Sequence, residues 1–207
     1  WSLNIFKILG WECTRIMSVV TEKNKPLEGR AMADIAAERG CHPFDAACDI
    51  LHEEEGRVLV FSSLGEPEDN FTEQSIFAAL AHPNVSISTD TVLMGIGRPS
   101  HLFYGAYPKF FSRYVREKKM LDLETAVRKV TGLPAEHFGL KKRGAVKKGY
   151  FADVLVFDPQ EITPNCSFSN PRGVPGGISH VFINGQHMVE RGNFNRKVLP
   201  GRVLKSN

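Results

Sequence analysis

The sequence predicts an α/β fold in which part of a barrel of strand and helix units is followed by a small β module. Between residues 57 and 90, short apolar runs alternate with a helical pattern, which is typical of parallel strand-helix-strand units. The 207 residues are too few for a closed eight-unit barrel, which needs about 250. From Gly144 onward the pattern changes to short strands joined by turns. We therefore expect a barrel remnant and a separate β segment.

The composition excludes several classes of protein. With 42% hydrophobic and 24% charged residues, the chain is neither disordered nor collagen-like. It has no apolar stretch near the roughly 18 residues of a membrane span, and its small net charge of +3 argues against nucleic-acid binding. The cysteines form no CxxC pair, which favours reduced thiols and a cytoplasmic location. Because the chain starts at Trp1, we expect it to begin inside a longer protein.

Two helices are predicted near the N-terminus. Apolar residues recur at helical spacing in the segment 27–40, and Gly40 is placed to end that helix. Pro43 suits the first turn of a second helix, which Gly56 ends. Its predicted inner face consists of Phe44, Ala47, Cys48 and Leu51. The acidic run Glu53-Glu54-Glu55 is predicted to be solvated.

Residues 57–118 contain the segments that predict alternating strands and helices. The run 57–61 is short and rich in β-branched residues, so we expect a buried strand there. A helix is predicted over 67–80, followed by a strand over 85–89 that ends on Asp90. A glycine-punctuated loop over 95–105 then leads to a helix over 108–118.

The last part of the chain predicts short helices and then strands. Asp122 is a candidate N-cap for a helix over 123–130, and Pro134 begins a further short helix. Strands are predicted over 145–146, 153–157, 181–183 and 187–189. Asn184-Gly185 between the last two strands predicts a type I′ hairpin, because both central residues must accept positive φ.

Asp90 is the residue whose predicted position points most directly to chemistry. A carboxylate just past the C-terminal end of a buried parallel strand lies on the face where barrel active sites are built. An aspartate that ends a strand is equally an ordinary turn or capping residue, so both roles stay open. His101 lies in the long loop after Asp90, from which it could contact a substrate in the same cleft.

Other kinds of site have little support. The seven histidines show no HxH, HExxH or HxxxH pairing that would bring two imidazoles to one metal. His180 and His187 in particular are expected in strands, facing solvent. Cys41 and Cys48 could share a helix face, either as metal ligands or as small buried thiols. No GxSxG nucleophile signature is present.

Several motifs occur together in a recognisable order. They include Leu27-Glu28-Gly29-Arg30, Pro43-Phe44-Asp45, His82-Pro83, the strand ending in Asp90, Tyr104-Gly105, Arg113-Tyr114 and Leu133-Pro134-Ala135, followed by Ala152-Asp153-Val154 and Pro200-Gly201-Arg202. In combination they resemble the C-terminal part of the D-aminoacylase branch of the amidohydrolase superfamily, the N-acyl-D-amino-acid deacylases. The resemblance implies a TIM-barrel metal-dependent hydrolase, with its last barrel part and a helical insertion in residues 1–143. Residues 144–207 would be part of its composite β-sandwich.

The resemblance also implies a mechanism and a cofactor. In this family a zinc-bound water attacks the acyl carbon of an amide. Asp90 matches the aspartate that follows the last barrel strand, where it would touch the metal, take the proton of the water and deliver it to the departing amine. The other zinc ligands belong to earlier barrel strands, which no segment of this chain matches. We therefore expect them mostly outside this chain, and we expect the 207-residue polypeptide to be inactive alone.

The substrate implied by the resemblance is a small N-acyl amino acid. The sequence departs from the family at Thr89-Asp90-Thr91, where Ser-Asp-Gly is common, and at Ser100-His101-Leu102, where His-Pro-Arg is common. Arg98 is the nearest guanidinium that could replace the missing arginine as a partner of the substrate carboxylate. His101 and Tyr104 complete the expected substrate contacts.

Two alternatives remain open at this point. One is a cyclic amide hydrolase of the dihydroorotase or hydantoinase kind, which would differ in the loop after Asp90. The other is a non-catalytic assembly module, because part of a barrel exposes apolar strand edges that seek a partner. A homo-oligomer is compatible with either reading.

Overall fold

The computed structural model describes residues 5–62, 70–91, 95–167 and 170–204. They fall into two compact units. Unit 1 comprises Trp1–Glu73, Thr91–Tyr104 and Cys166–Arg172, and unit 2 comprises Gln74–Asp90, Gly105–Asn165 and Gly173–Asn207. None of the helices in the described ranges has the length and apolar character needed to cross a bilayer.

In its described part, unit 1 combines short helices with a two-stranded antiparallel sheet. Its elements are α1 (Ile5–Leu9), β1 (Thr14–Ser18), a 3₁₀ helix (Glu22–Leu27), α2 (Met32–Arg39), α3 (Pro43–Glu53) and β2 (Leu59–Ser62). β1 pairs with β2 so that Thr14 lies opposite Ser62. The core between the sheet and the helices includes Ile16, Ile35 and Ile50, each 1% exposed. Each such side chain contributes about 1.5–3 kcal/mol to the free energy of folding.

The two predicted N-terminal helices are confirmed as α2 and α3, but the inner face of α3 is not the one expected. Gly40 ends α2 in the left-handed region, with φ of 66°. On α3, Phe44 and Leu51 are exposed, whereas Ala46 and Ile50 are buried. The apolar residues of α3 cover two neighbouring faces of the helix. The face with Ala46 and Ile50 packs into the core, and the face with Phe44 and Leu51 stays exposed.

The strand predicted over 57–61 is observed one or two residues later, but its predicted burial and parallel pairing are wrong. β2 runs antiparallel to β1. Leu59 and Val60 are 47% and 45% exposed. Within the described residues the sheet has two strands, so β2 has one neighbour, and its apolar side chains stay partly open to solvent.

Unit 2 joins a helical part to a four-stranded antiparallel sheet. Its helical part contains the end of α4 (Asn70–Ala81), most of α5 (Leu102–Lys109), a π-helical segment (Phe110–Glu117), α6 (Leu123–Val130) and α7 (Gly132–His137). The strands are β3 (Val154–Phe157), β4 (Ile178–Ile183), β5 (Gln186–Glu190) and β6 (Asn193–Phe194), in the order β3-β4-β5-β6. Buried Phe110, Phe111, Tyr114, Ala126 and Ile162 form its core.

Local signals predicted much of unit 2 correctly. Asp122 caps α6, since its Oδ1 accepts a hydrogen bond of 2.7 Å from the Thr125 amide, and this bond lowers the pKa of Asp122. Asn184 and Gly185 have φ of 47° and 81°, as the predicted hairpin requires. Residues 145–146 are not a strand, and the helix expected from residue 108 begins at Leu102.

Candidate functional site

The four residues expected to carry chemistry lie in different units. Asp90 is the last residue of its segment in unit 2, whereas Arg98, His101 and Tyr104 belong to unit 1. Arg98, His101 and Tyr104 are close neighbours in sequence within unit 1, whereas Asp90 is assigned to the other unit. Their individual environments decide what each can do.

Asp90 is exposed and has a left-handed backbone, with φ of 46°. Aspartate tolerates this conformation better than most residues. The next residue, Thr91, donates a hydrogen bond from Oγ1 to the carbonyl of Phe103 over 3.3 Å. The carboxylate of Asp90 is therefore open to solvent, and the chain that follows it is attached to the first turn of α5.

The strand predicted before Asp90 is not formed. Residues 85–89 are extended, but among the described residues no strand pairs with them. Part of the backbone of this segment, and of the turn before it, bonds instead to Lys129, whose Nζ donates to the carbonyls of His82 and Val85 over 2.5 and 2.9 Å. The amide of Ile87 donates to the carbonyl of Lys129 over 3.2 Å. One residue of α6 thus replaces the neighbouring strand.

Lys129 is itself 2% exposed, and sequence reasoning missed it. Burial lowers the pKa of its ammonium group, and the nearby charge of Arg128 lowers it further. A signal was present in the sequence, because Lys129 lies three residues after the buried Ala126 and so shares its face of α6. A lysine on that face must find oxygen acceptors inside the protein.

Arg98 lies beside a second arginine in unit 1. Its side chain crosses Gly29, where an added Cβ would stand 2.9 Å from Cδ of Arg98. Gly29 also has φ of 87°, so both the backbone and the arginine require glycine here. Arg15 donates to the carbonyl of Gly29 over 3.2 Å, and Arg15, Arg98 and Ser100 line one small cavity. Two guanidinium groups at one cavity favour an anionic ligand.

His101 and Tyr104 begin α5. Ser100 accepts a hydrogen bond at Oγ from the Leu102 amide over 3.3 Å, as an N-cap does. His101 is 6% exposed, and its carbonyl accepts a hydrogen bond from Sγ of Cys166 over 3.2 Å. Tyr104 is half-buried. His101 therefore has a packed environment, and Tyr104 is the more open of the two candidate substrate contacts.

Glu54 corrects a further expectation, because it is fully buried and not solvated. Its carboxylate accepts hydrogen bonds from the amides of Val20 and Thr21, from the Thr21 hydroxyl and from the Asn24 amide group. Burial raises the pKa of Glu54, but these donors outweigh it and lower the pKa to about 2. The spacing Ala46, Ile50, Glu54 places it in line with core residues, a signal that the charge run concealed.

The described residues do not by themselves form a catalytic zinc site with three protein ligands. Over those ranges, no three His, Cys, Asp or Glu side chains converge in a way that could hold a metal ion. A catalytic zinc site needs three protein ligands and an open position. Asp90, on an exposed turn, supplies at most one of these.

Comparison with known proteins defines the class of this chain. A family model described as "Amidohydrolase family" matches residues 16–187. The chain therefore belongs to the amidohydrolase family, as its motifs predict.

Particular relatives refine this assignment. The D-aminoacylase of Alcaligenes xylosoxydans xylosoxydans is 33% identical over 178 residues, which are 86% of this chain and 34% of that protein. A crystal structure of D-aminoacylase matches with a TM-score of 0.73 and 32% identity, covering 89% of this chain and 36% of that one. The N-acyl-D-glutamate deacylase of Bordetella bronchiseptica, complexed with zinc and a phosphonate inhibitor, matches with a TM-score of 0.71 and 30% identity, covering 86% and 34%. The chain spans about one third of the length of these relatives.

Proposed function

We propose that this chain is part of a metal-dependent hydrolase that cleaves the linear amide bond of N-acyl-D-amino acids. The observation that carries the proposal is the match to D-aminoacylase over 86% of the chain. The similarity to a deacylase whose structure contains zinc supports the metal dependence. The expected substrate is a small N-acyl amino acid with a free carboxylate.

We assign two regions within this proposal. Residues 1–143 would be the last part of the TIM barrel with its helical insertion, and residues 144–207 would belong to the composite β-sandwich. The four-stranded antiparallel sheet β3 to β6 is the kind of element that such a sandwich contains. The remaining barrel strands of the family correspond to segments that no part of this chain matches.

Asp90 is the proposed proton carrier of the reaction. Its carboxylate would accept a proton from the attacking water and donate it to the nitrogen of the departing amine, so that one group acts as base and then as acid. Its solvent-exposed position leaves it able to exchange protons. The described residues hold no complete catalytic metal site. We therefore assign to none of them the activation of the water by the metal.

Arg98 is the proposed partner of the substrate carboxylate. A guanidinium group binds a carboxylate through two parallel hydrogen bonds, and Arg15 beside the same cavity adds a second positive charge. His101 and Tyr104, at the start of α5, would contact the remainder of the substrate. This arrangement favours a substrate with a free carboxylate over a neutral cyclic amide such as hydantoin, whereas dihydroorotate also carries a carboxylate and is distinguished by the assay below.

The proposed function is tested on the complete protein encoded by the gene. We expect the complete coding sequence to contain a His-x-His motif, which would lie on the first barrel strand. The purified product should release free amino acid from N-acetyl-D-glutamate or N-acetyl-D-methionine, and not from the L-enantiomers. Hydrolysis of dihydroorotate or hydantoin alone would support the cyclic amide alternative, and a complete coding sequence without further histidine or cysteine ligands would contradict both hydrolase functions.

The role of Asp90 is tested in the same enzyme. Asp90→Asn keeps the size of the side chain and removes the proton acceptor. We expect kcat to fall by about 10²- to 10⁴-fold, with little change in thermal stability. Asp158→Asn, an exposed aspartate elsewhere in unit 2, is the matched control. Retained turnover in Asp90→Asn would contradict the assignment.

A non-catalytic assembly module is the second candidate function. Leu155 and Phe194, on the sheet of unit 2, are 46% and 56% exposed. Apolar side chains at this exposure on a sheet face favour association with another protein surface. This candidate predicts that the chain associates, whereas the enzyme proposal predicts turnover, so the two are separable by measurement.

A further inference from the structure

The hairpin of β4 and β5 brings two histidines together that lie seven residues apart in sequence. Nδ1 of His180 and Nε2 of His187 are 3.0 Å apart, and the ring centroids are 5.1 Å apart. The pairing explains this approach. Phe182 lies opposite His187, and His180 is two residues before Phe182 on the same strand, so the two histidines share one face as diagonal neighbours.

Phe182 restricts the rings of both histidines. It stacks on His187 with a centroid distance of 4.5 Å and an interplanar angle of 14°, and its centroid lies 6.3 Å from that of His180. On the other side of β4, the residues paired with Phe182 and His180 are Val154 and Val156. Both imidazoles are half-buried, so their position is set by packing, while one side stays open to solvent.

We propose that His180 and His187 form a binding site for a divalent transition-metal ion, with Zn²⁺ as the probe. Imidazole nitrogens bind Zn²⁺ at about 2.0–2.1 Å, and two such bonds at a tetrahedral angle place the nitrogens about 3.3 Å apart. The observed distance is 3.0 Å, at which the two rings share a hydrogen bond, so a bound ion takes the place of the shared proton while the nitrogens separate slightly. Water completes the coordination shell, since over the described ranges no third His, Cys, Asp or Glu joins the pair.

This site is independent of the proposed catalytic site. It lies wholly within unit 2, on strands that do not carry Asp90, and it needs no residue from the amidohydrolase reaction. By linking β4 to β5, a bound ion stabilises the folded hairpin, because it binds the native state and not the unfolded chain. Zn²⁺ binding to the two ring nitrogens is therefore expected to raise the Tm of the chain.

The direct test is a titration of the ¹⁵N-labelled 207-residue chain with Zn²⁺, followed by long-range ¹H–¹⁵N spectra of the histidine rings. We expect Nδ1 of His180 and Nε2 of His187 to shift together and to saturate at one ion per chain. This readout reports ring nitrogens, so Zn²⁺ binding to the four cysteine thiols does not imitate it. Absence of a joint shift, or a shift of only one ring, would overturn the proposal.

Variants provide the second test. His180→Gln and His187→Gln should each weaken Zn²⁺ binding to this site by at least the roughly 10- to 100-fold that loss of an outer-shell partner costs. His137→Gln, an exposed histidine, is the matched control, and amide spectra of β4 and β5 check that the hairpin stays folded. Asp90→Asn should leave the binding unchanged. If Asp90→Asn removed it, the ion would belong to the proposed catalytic site and this inference would fail, whereas failure of the deacylase assay leaves the inference intact.

Discussion

Glu54 shows how one side chain can secure a connection in the chain. Its carboxylate accepts hydrogen bonds from Val20 and Thr21, which link β1 to the 3₁₀ helix, and from Asn24 within that helix. Lys23 and Asn24 also bond to Glu53, which is half-buried at the same end of α3. A buried carboxylate that accepts from several donors is stable, but a neutral side chain in its place has a donor group where one of the two oxygens accepted, so some of those donors lose their acceptor.

Replacing Glu54 by glutamine should therefore destabilise the protein in a pH-dependent way. The folded-state pKa of about 2 lies below the ordinary value of 4.5, so the charged carboxylate stabilises the fold above pH 4.5 and loses this effect as the pH falls toward 2. We expect Glu54→Gln to lower Tm by several degrees at pH 7 and by less at pH 3. Thermal unfolding followed by circular dichroism measures both values.

The control for this prediction is Glu55→Gln, one residue later and exposed. Its ion pair with Arg57 is open to solvent, where such pairs contribute about 0–1 kcal/mol. An equal loss of Tm in both variants would contradict this role of Glu54. So would a loss of Tm in Glu54→Gln that is as large at pH 3 as at pH 7.

At the scale of elements, α6 holds the extended segment that leads to Asp90. Lys129 binds two carbonyls of this segment and accepts from Ile87, and the hydroxyl of Tyr107 donates to the Ile87 carbonyl over 3.3 Å. The carbonyls of His82, Val85 and Ile87 and the amide of Ile87 are thus hydrogen-bonded without a strand partner. The position of the proposed proton carrier depends on this helix, although Lys129 itself has no role in the chemistry.

Lys129→Met tests this dependence. The methionine fills similar space but leaves the carbonyls of His82 and Val85 without their donor, which should cost about 1–3 kcal/mol of unfolding free energy. Hydrogen exchange at the Ile87 amide should become faster. Arg128→Met, which removes an exposed cation paired with Glu136, should change the unfolding free energy by at most about 1 kcal/mol. Unchanged exchange at Ile87 would show that the segment is held by other contacts.

The same elements show which features a sequence can predict. The hairpin at Asn184-Gly185 and the cap at Asp122 were predictable because the residues that determine them are adjacent. The segment 85–89 has the composition of a strand, but the partner that satisfies it is a lysine about 40 residues away, and no local pattern contains that information. The register of the hairpin places His180 and His187 close together. Sequence motifs for metal ligands do not predict this pair, because its spacing of seven residues matches none of them.

At the scale of the whole molecule, the sheet of unit 2 presents two different faces. One face carries the histidine pair. The other carries an apolar row across all four strands, in which Leu155 pairs with Val181, Val181 with Val189, and Val189 with Phe194. The ends of this row are about half exposed, and the outer strands β3 and β6 are sheet edges within the described residues. Burial of such an apolar face against another apolar surface lowers the free energy of the system.

We therefore predict that the 207-residue chain self-associates through this row. The variant Leu155→Lys/Phe194→Lys places two like charges at the ends of the row, so association would bury unpaired charge, and sedimentation velocity should show a shift toward monomer. Leu199→Lys introduces the same charge at a residue that is 91% exposed and outside the sheet, and it should sediment like the parent chain. If the double variant and the parent sedimented alike, association would not use this face. Because the test needs no catalytic activity, it addresses assembly separately from the deacylase proposal.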